Sequence, residues 1–400
     1  MNLSVKARES FEKEIKIGEE GDNSDVIIEY LKILEVDYVF GVPGGAIEPL
    51  FNALARGAKQ GAPKVIVARH EAGAAFMAEG YARETGKLGV CCATTGPGST
   101  NLLTGVASAY SDNVPILVIT AQTPLPKFGR NALQESSCTA IDTVAIFRHC
   151  TRYSTLISHT EQVHTKLIAA IMAANRSPSG PAHISIPSDI LRQPALVNSE
   201  IKIGRLVQDF KLTDNSAVEK LTSMLSNTSR VALFLGKGCG SAIDEIMEFS
   251  DLTRAPIVTG PSGKRWVDGY HNRYRGVYGF AGHQSAQETM EDYTIDMFIA
   301  VGTQITELGT SGWHSHLLSD RLVHIDSTIE HFSRTLMAKH HVCGDLKSIF
   351  KQLNENVRQG LKWGRSWGAV DPIQLKLLEK NSSARNHGYQ IALNLSLIHI

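Results

Sequence analysis

Short apolar runs recur along this chain at intervals that a helix would fill, and no other feature constrains the fold so tightly. Ser24 can cap a helix running to about Leu34. The runs that follow are Tyr38 to Gly41, Lys64 to Ala68, Gly89 to Thr94, Ile116 to Ala121 and His183 to Ile186. Helical patterns begin at about Ala46, at Glu71 (to Glu84) and at about Thr100. Strands that read as unbroken apolar runs are buried on both faces, and strands joined through helices run parallel. The expected class is therefore α/β, a doubly wound and mostly parallel sheet with helices on both sides. Periodicity lapses from Pro187 to about Asn215. It resumes near Ala217 with strands at Val231 to Leu235, Pro256 to Thr259, Met297 to Val301 and Leu322 to Ile325. The expected organisation is a polar leader over 1–23, a first domain over 24–190, a linker over 191–215 and a second domain of the same plan over 216–357.

Lys and Arg together number 40, as do Asp and Glu, so the formal net charge is +0. That balance argues against nucleic acid or an anionic membrane surface as partner. No apolar run is long enough to span a bilayer. The leader lacks the apolar core of a signal peptide, and its acidic residues argue against a transit peptide, so a cytoplasmic location is expected. The six cysteines form no C-x-x-C pair. Buried reduced thiols are expected, and no metal ligands.

Four segments carry the chemistry: Gly41-Val42-Pro43-Gly44-Gly45-Ala46, Arg69-His70-Glu71, Thr94-Thr95-Gly96-Pro97-Gly98-Ser99-Thr100-Asn101, and Ala121-Gln122. Three of them fall where a strand ends, the edge of a parallel sheet at which ligands bind. Glycines there let backbone approach a ligand. Glu71 opens a helix of mostly small residues, which allow close approach of a neighbouring helix or subunit and leave the carboxylate little water. A carboxylate so placed can hold or hand over a proton. Taken singly, each element has a plainer reading. The glycines make turns, Asn101 helps to start a helix, and Glu71 caps the helix it opens. The order and spacing of the set are far more specific than any member.

On these motifs the chain resembles the large subunit of acetolactate synthase, within the thiamine-diphosphate-dependent 2-oxo acid decarboxylases and carboligases. The resemblance covers about Ser24 to Val357 and is strongest from Asp37 to Gln134. It implies a pyrimidine-binding first domain and a central second domain that in several members holds a nucleotide-like cofactor. It implies that Glu71 hydrogen-bonds the aminopyrimidine and promotes the tautomer that takes the thiazolium proton. It places Gly45 and Ala46 beside the reacting carbon, puts Thr94, Pro97 and Asn101 around the pyrimidine pocket, and sets Gln122 and Gln134 near the substrate, with Gln134 catalytic alongside Glu71. The implied reaction is decarboxylation of pyruvate and transfer of the two-carbon unit to a second 2-oxo acid, a step of branched-chain amino acid biosynthesis. The implied partners are at least a homodimer and a regulatory subunit. Other 2-oxo acid chemistry, or a non-catalytic two-domain binding module, are the alternatives.

Three departures bear on that reading. Val42 stands where the synthases carry tyrosine, Leu133 where an aromatic residue usually precedes the glutamine, and Gly302-Thr303-Gln304 where they carry Gly-x-Arg. An amide does not replace a bidentate guanidinium, which puts FAD and the standard acceptor in doubt. The run Gly236-Lys237-Gly238-Cys239-Gly240 is suited either to cradling a diphosphate or to a plain turn. For Arg265, His283, His314, His149 and His164 a structural or surface role is the plainer reading. The family's third domain binds the cofactor diphosphate through Mg²⁺ at a Gly-Asp-Gly…Asn motif, and no such motif occurs here; Gly344-Asp345-Leu346 is a partial lookalike. Residues 358–394 read as a remnant without core pattern. Leu395-Ser396-Leu397-Ile398-His399-Ile400 translates a transposon end used in sequencing adapters. The expectation is a chain cut short and inert by itself, lacking the metal half of the site.

Overall fold

The computed structural model describes residues 21–196 and 212–359, which belong to two compact units meeting in sequence at residues 209 and 210. The expectations for most of the leader, the middle of the linker, the remnant and the 395–400 tail fall outside the described residues.

The first unit opens with helix α1 (Asn23–Ile33) and strand β1 (Tyr38–Gly41), then α2 (Glu48–Gly57), β2 (Lys64–Val67), α3 (Glu71–Thr85) and β3 (Gly89–Ala93). It continues through α4 (Pro97–Asn101), α5 (Leu103–Ser111), β4 (Ile116–Gln122), α6 (Thr143–Arg148), β5 (Tyr153–Leu156), α7 (Gln162–Asn175), β6 (Pro181–Pro187) and α8 (Ser188–Leu191). All pairings are parallel, in the order β2-β1-β3-β4-β6-β5. The chain leaves β1 toward one side for β2 and returns to its other side for β3. The switch point therefore lies between the carboxyl ends of β1 and β3. Alternate residues face opposite layers. Val39, Cys92, Leu117 and Ile119 pack under one set of helices, and Phe40, Cys91, Ile116 and Val118 under the other.

Local chemistry explains where the helices start. The α1 cap is Asp22, not Ser24: Asp22 accepts the Ser24 and Asp25 amides, and Asp25 returns the bond to the Asp22 amide. Ser24 lies in the first turn, its hydroxyl donating to the Leu191 carbonyl at 3.2 Å. The six cysteines are free, with Cys91, Cys92 and Cys239 buried. Burial pushes the Cys92 thiol up to about 12.

His183 on β6 is fully buried. Its Nε2 lies 2.8 Å from Thr120 Oγ1 and its Nδ1 2.9 Å from Ser154 Oγ, with the ring 4.3 Å from that of Phe147. Desolvation pushes its pKa down to about 3. The folded value lies below the unfolded one of about 6.5, so the unfolded chain binds the extra proton. The neutral ring's contribution is complete above that pH and is lost as pH falls from 6.5 towards 3, at up to about 1.4 kcal/mol per unit. The urea midpoint of the first unit is expected to fall between pH 7 and pH 5. His183→Gln should flatten that fall, and equal slopes in both proteins would refute the assignment.

The second unit has the same plan. Its elements are α9 (Asn215–Ser226), β7 (Val231–Leu235), α10 (Ile243–Thr253), β8 (Ile257–Thr259), β9 (Tyr274–Val277), α11 (Gln284–Glu291), β10 (Met297–Val301), β11 (Leu322–Asp326), β12 (His340–Cys343) and α12 (Leu346–Arg358). The parallel sheet runs β12-β11-β10-β7-β8-β9. Counted from β7 this is the doubly wound order 3-2-1-4-5-6, with its switch point between β7 and β10. Leu233, Ile299 and Val323 form one core layer, and Phe234, Phe298 and Leu322 the other. No helix among the described residues is long and apolar enough to cross a membrane.

Candidate active site

At the first sheet's switch point, the loops after β1 and β3 meet. A Cβ on Gly44 would come within 2.6 Å of Thr94 Cβ, and one on Gly98 within 2.8 Å of Thr94 Cγ2. Only glycine permits this approach. The Gly44 carbonyl accepts the Ile47 and Glu48 amides and folds Gly45 and Ala46 into a turn. Gly45 has nothing within 4 Å of its Cβ position, so the turn leaves open space beside the packed glycines.

Glu71 enters from β2 as the first residue of α3. The plain reading that it caps this helix fails, because His70 is the cap and its Nδ1 accepts the Ala72 amide at 3.2 Å. The carboxylate is thus not used in capping, and it is 9% exposed. Oε2 accepts from Asn101 Nδ2 at 2.9 Å, and Oε1 lies 3.3 Å from the Cβ position of Gly98. Asn101 is its only side-chain hydrogen-bond partner among the described residues. One carboxylate oxygen therefore remains able to accept from a ligand. The burial itself follows from small residues: Ala74, Ala75 and Ala78 are fully covered, and Gly105 of α5 brings that helix's backbone close to Ala75.

The structure gathers Gly45, Ala46, Glu71, Thr94, Pro97 and Asn101 at this edge. The two glutamines behave differently. Gln122 is 1% exposed and its amide is occupied within the chain: Oε1 accepts from Ser136 Oγ, and Nε2 donates to the Ser136 carbonyl and Thr143 Oγ1. The exposed side-chain amide of Gln134 has no partner among the described residues. Its backbone sits at φ +56 against Gly96, where a Cβ would fall 2.7 Å from Gln134 Cβ. Sequence reasoning missed Thr95, Ser136 and Thr143, which fasten these pieces together. Thr95 lies inside the Thr94–Asn101 motif and Ser136 two residues beyond Gln134, whereas nothing in the sequence singles out Thr143.

A second carboxylate follows Gln134 directly in the chain. Glu135 accepts from the amides of Gly129 and Ala132 and the hydroxyls of Ser137 and Thr139. The Ser137 bond foremost holds its carboxyl down at about 2.

At the second switch point the Gly236 amide donates to the Val301 carbonyl and the Gly238 amide to the Gly302 carbonyl, at 2.9 and 2.8 Å. Gln304's carbonyl accepts from Arg334 at 2.8 Å. Two amides of the glycine run are thus used within the chain, and glutamine rather than arginine stands at 304. His283 accepts the Val277 amide, His164 bridges Tyr30 and the Leu196 carbonyl, and Arg265 lies over the Trp266 ring. His314 stacks on His316, and His149 is exposed. No group of three or more His, Cys, Asp and Glu among the described residues is placed to hold a metal ion.

A doubly wound sheet with a buried helix-starting glutamate at a glycine-lined switch point makes an α/β domain suited to a ligand at that edge, and the sequence comparisons say to which family it belongs. Residues 22–145 match the thiamine pyrophosphate enzyme N-terminal TPP binding domain, and residues 218–353 match the central domain of the same enzymes. The chain belongs to the thiamine pyrophosphate enzyme family. It is similar to the acetolactate synthase isozyme 2 large subunit of Escherichia coli K12, 31% identical over 341 residues, which are 83% of this chain and 59% of that protein. It is also similar to the chloroplastic acetolactate synthase of Arabidopsis thaliana, 30% identical over 345 residues (85% of this chain, 50% of that one). The acetolactate synthase of Arthrospira platensis is 30% identical over 359 residues, 86% and 59% of the respective chains. The chain thus spans between half and three-fifths of the length of these relatives.

Proposed function

We propose that this chain forms the pyrimidine-binding and central parts of an acetolactate-synthase-like enzyme. The enzyme decarboxylates pyruvate and transfers the two-carbon unit to a second 2-oxo acid. The observation that carries the reading is Glu71: buried, oriented by Asn101, with Oε1 beside Gly98 and without a hydrogen-bond partner among the described residues. That arrangement fits the aminopyrimidine of thiamine diphosphate, whose ring nitrogen can share a proton with a carboxyl group. Bound there, the cofactor supplies the nucleophilic carbon and the electron sink for decarboxylation.

The chain's own residues do the rest. Glu71 holds and returns a proton at its free oxygen, and Asn101 fixes the carboxylate plane. Gly45, Ala46, Thr94 and Pro97 shape the wall beside the reacting centre and exclude water from it. Gln134 presents its unpaired amide to the substrate, and Gln122 supports the loop that carries it. Mg²⁺ would be held with the diphosphate by residues other than those described. Flavin is left out of this proposal, because Gln304 stands where the synthases carry arginine. A homodimer is favoured by the outward stripe of α3, where Gly73 and Gly80 are open and Phe76 is 45% exposed. A regulatory subunit and a cytoplasmic location complete the proposal.

Gln304 favours a second reading, in which the same site serves another 2-oxo acid as donor or acceptor. One experiment separates these. The full-length protein, supplied with thiamine diphosphate, Mg²⁺ and pyruvate, is expected to form acetolactate and to sediment as a dimer or larger. A different acyloin or an aldehyde as product would install the second reading. Cofactor binding without turnover of any 2-oxo acid would favour a binding module, and a monomer would remove the dimer.

A further inference from the structure

We infer that Ser136 is a positioning residue for Gln134, acting as a latch that ties the glutamine-bearing turn to the glycine loop of the cofactor site. This rests on the reading proposed above for Gln134 and Glu71. Ser136 is fully buried, as are Thr143 and nearly so Gln122 and Thr95. Its hydroxyl lies 2.7 Å from Thr95 Oγ1, 3.0 Å from Gln122 Oε1 and 3.3 Å from the Gly96 amide, which donates to it. Its carbonyl accepts from Gln122 Nε2 and from Thr143 Oγ1. Two positions earlier, the Gln134 carbonyl accepts from Thr95 Oγ1 at 2.9 Å.

The latch has work to do, because Gln134 is held where a side-chain-bearing residue is disfavoured. Its φ of +56 lies in the left-handed region, which costs about 1 kcal/mol or more for a residue with a Cβ. Gly96, itself at φ +63, packs on that backbone. The strained turn is retained only if the surroundings over-determine it, and among the described residues Ser136 alone has its hydroxyl within hydrogen-bonding distance of Thr95, Gly96 and Gln122. The same loop runs on through α4 to Asn101 and so to Glu71. One hydroxyl thus fixes the distance between the free amide of Gln134 and the carboxylate that serves the cofactor.

Removing that hydroxyl leaves buried partners unpaired and frees the turn to relax. Ser136→Ala is expected to raise amide hydrogen exchange at 133–137 by about tenfold, roughly the loss of one net hydrogen bond. In the full-length enzyme the variant is expected to raise the KM for the 2-oxo acid about tenfold, with the thiamine diphosphate affinity changed less than threefold. Ser136→Thr keeps the hydroxyl and should restore both readouts, whereas a purely structural role would lower the urea midpoint without splitting KM from cofactor affinity. Unchanged exchange at 133–137 in Ser136→Ala overturns the latch. Raised exchange with an unchanged KM overturns its role in substrate positioning. Wild-type protein inert toward every 2-oxo acid overturns the function proposed above and the catalytic consequence, while the exchange measurement still decides the latch.

Discussion

Glu71→Gln is expected to reduce thiamine-diphosphate-dependent turnover by about 10²–10⁴-fold, the usual contribution of a positioned acid–base group, while leaving the first unit folded. The reason is a difference between holding a place and holding a proton. Glutamine has nearly the shape of glutamate, and its Oε1 can still accept from Asn101, so the contact seen at 2.9 Å survives. His70, not Glu71, caps α3, so the helix start does not depend on the carboxylate. What the amide lacks is a carboxyl that can hold a proton and return it to the ligand. An isosteric amide leaves no cavity and keeps the Asn101 contact, so the urea midpoint should not fall. Turnover of the full-length protein and its midpoint, measured together, check this. Activity within threefold of wild type would sink the assignment of Glu71, and a collapsed midpoint would make it a structural residue. Asn101→Ala should act in the same direction but more weakly, because the carboxylate stays and loses only its orientation.

The sequence reveals central strands better than edge strands. β1, β3, β4, β7, β10 and β11 are buried apolar runs and read directly. The strands it did not reveal are β5 (Tyr-Ser-Thr-Leu), β9 (Tyr-Arg-Gly-Val) and β12 (His-His-Val-Cys), and each lies at the end of its sheet. An edge strand is covered by one neighbour, so it tolerates polar residues and loses the pattern that marks burial. The edge strand β2 remained legible because Val-Ile-Val gives it β-branched character despite its exposure.

The site divides in the same way. Glu71, the glycines and Asn101 lie in short motifs whose residue types are tied to the chemistry, so they can be read from sequence. The fastening of Gln134 cannot, because Ser136 reaches Thr95 across a separation of 41 residues and serine carries no distinctive signal. The two glutamines look alike in sequence. Only the hydrogen bonds separate Gln122, whose amide is occupied, from Gln134, whose amide has no partner among the described residues. Likewise the Gly236–Gly240 run reads equally as turn or cradle until the Gly238 amide is seen on Gly302.

Gly89→Ala is expected to destabilise the first unit by about 1–3 kcal/mol, the range for overpacking a filled core, and to fall at its upper end. Gly89 opens β3 beneath α3, and an added Cβ would lie 2.2 Å from the Ala78 carbonyl oxygen, 2.9 Å from its carbon and 3.0 Å from Ile116 Cγ2. The nearest obstacle is helix backbone, which cannot rotate aside as a side chain can. The helix must lift from the sheet or the strand must lose its register with β4, which pairs Gly89 with Ile116. Since the obstacle is a carbonyl, Ala78→Gly should not rescue the variant. Lifting α3 also moves Glu71, two turns toward its N-terminus, so turnover should fall by more than the fraction unfolded explains. Urea unfolding of the single and double variants measures the first effect. A Gly89→Ala midpoint within error of wild type would mean that α3 rides freely on β3, and the close helix-to-sheet contact would then not be what holds the carboxylate in place.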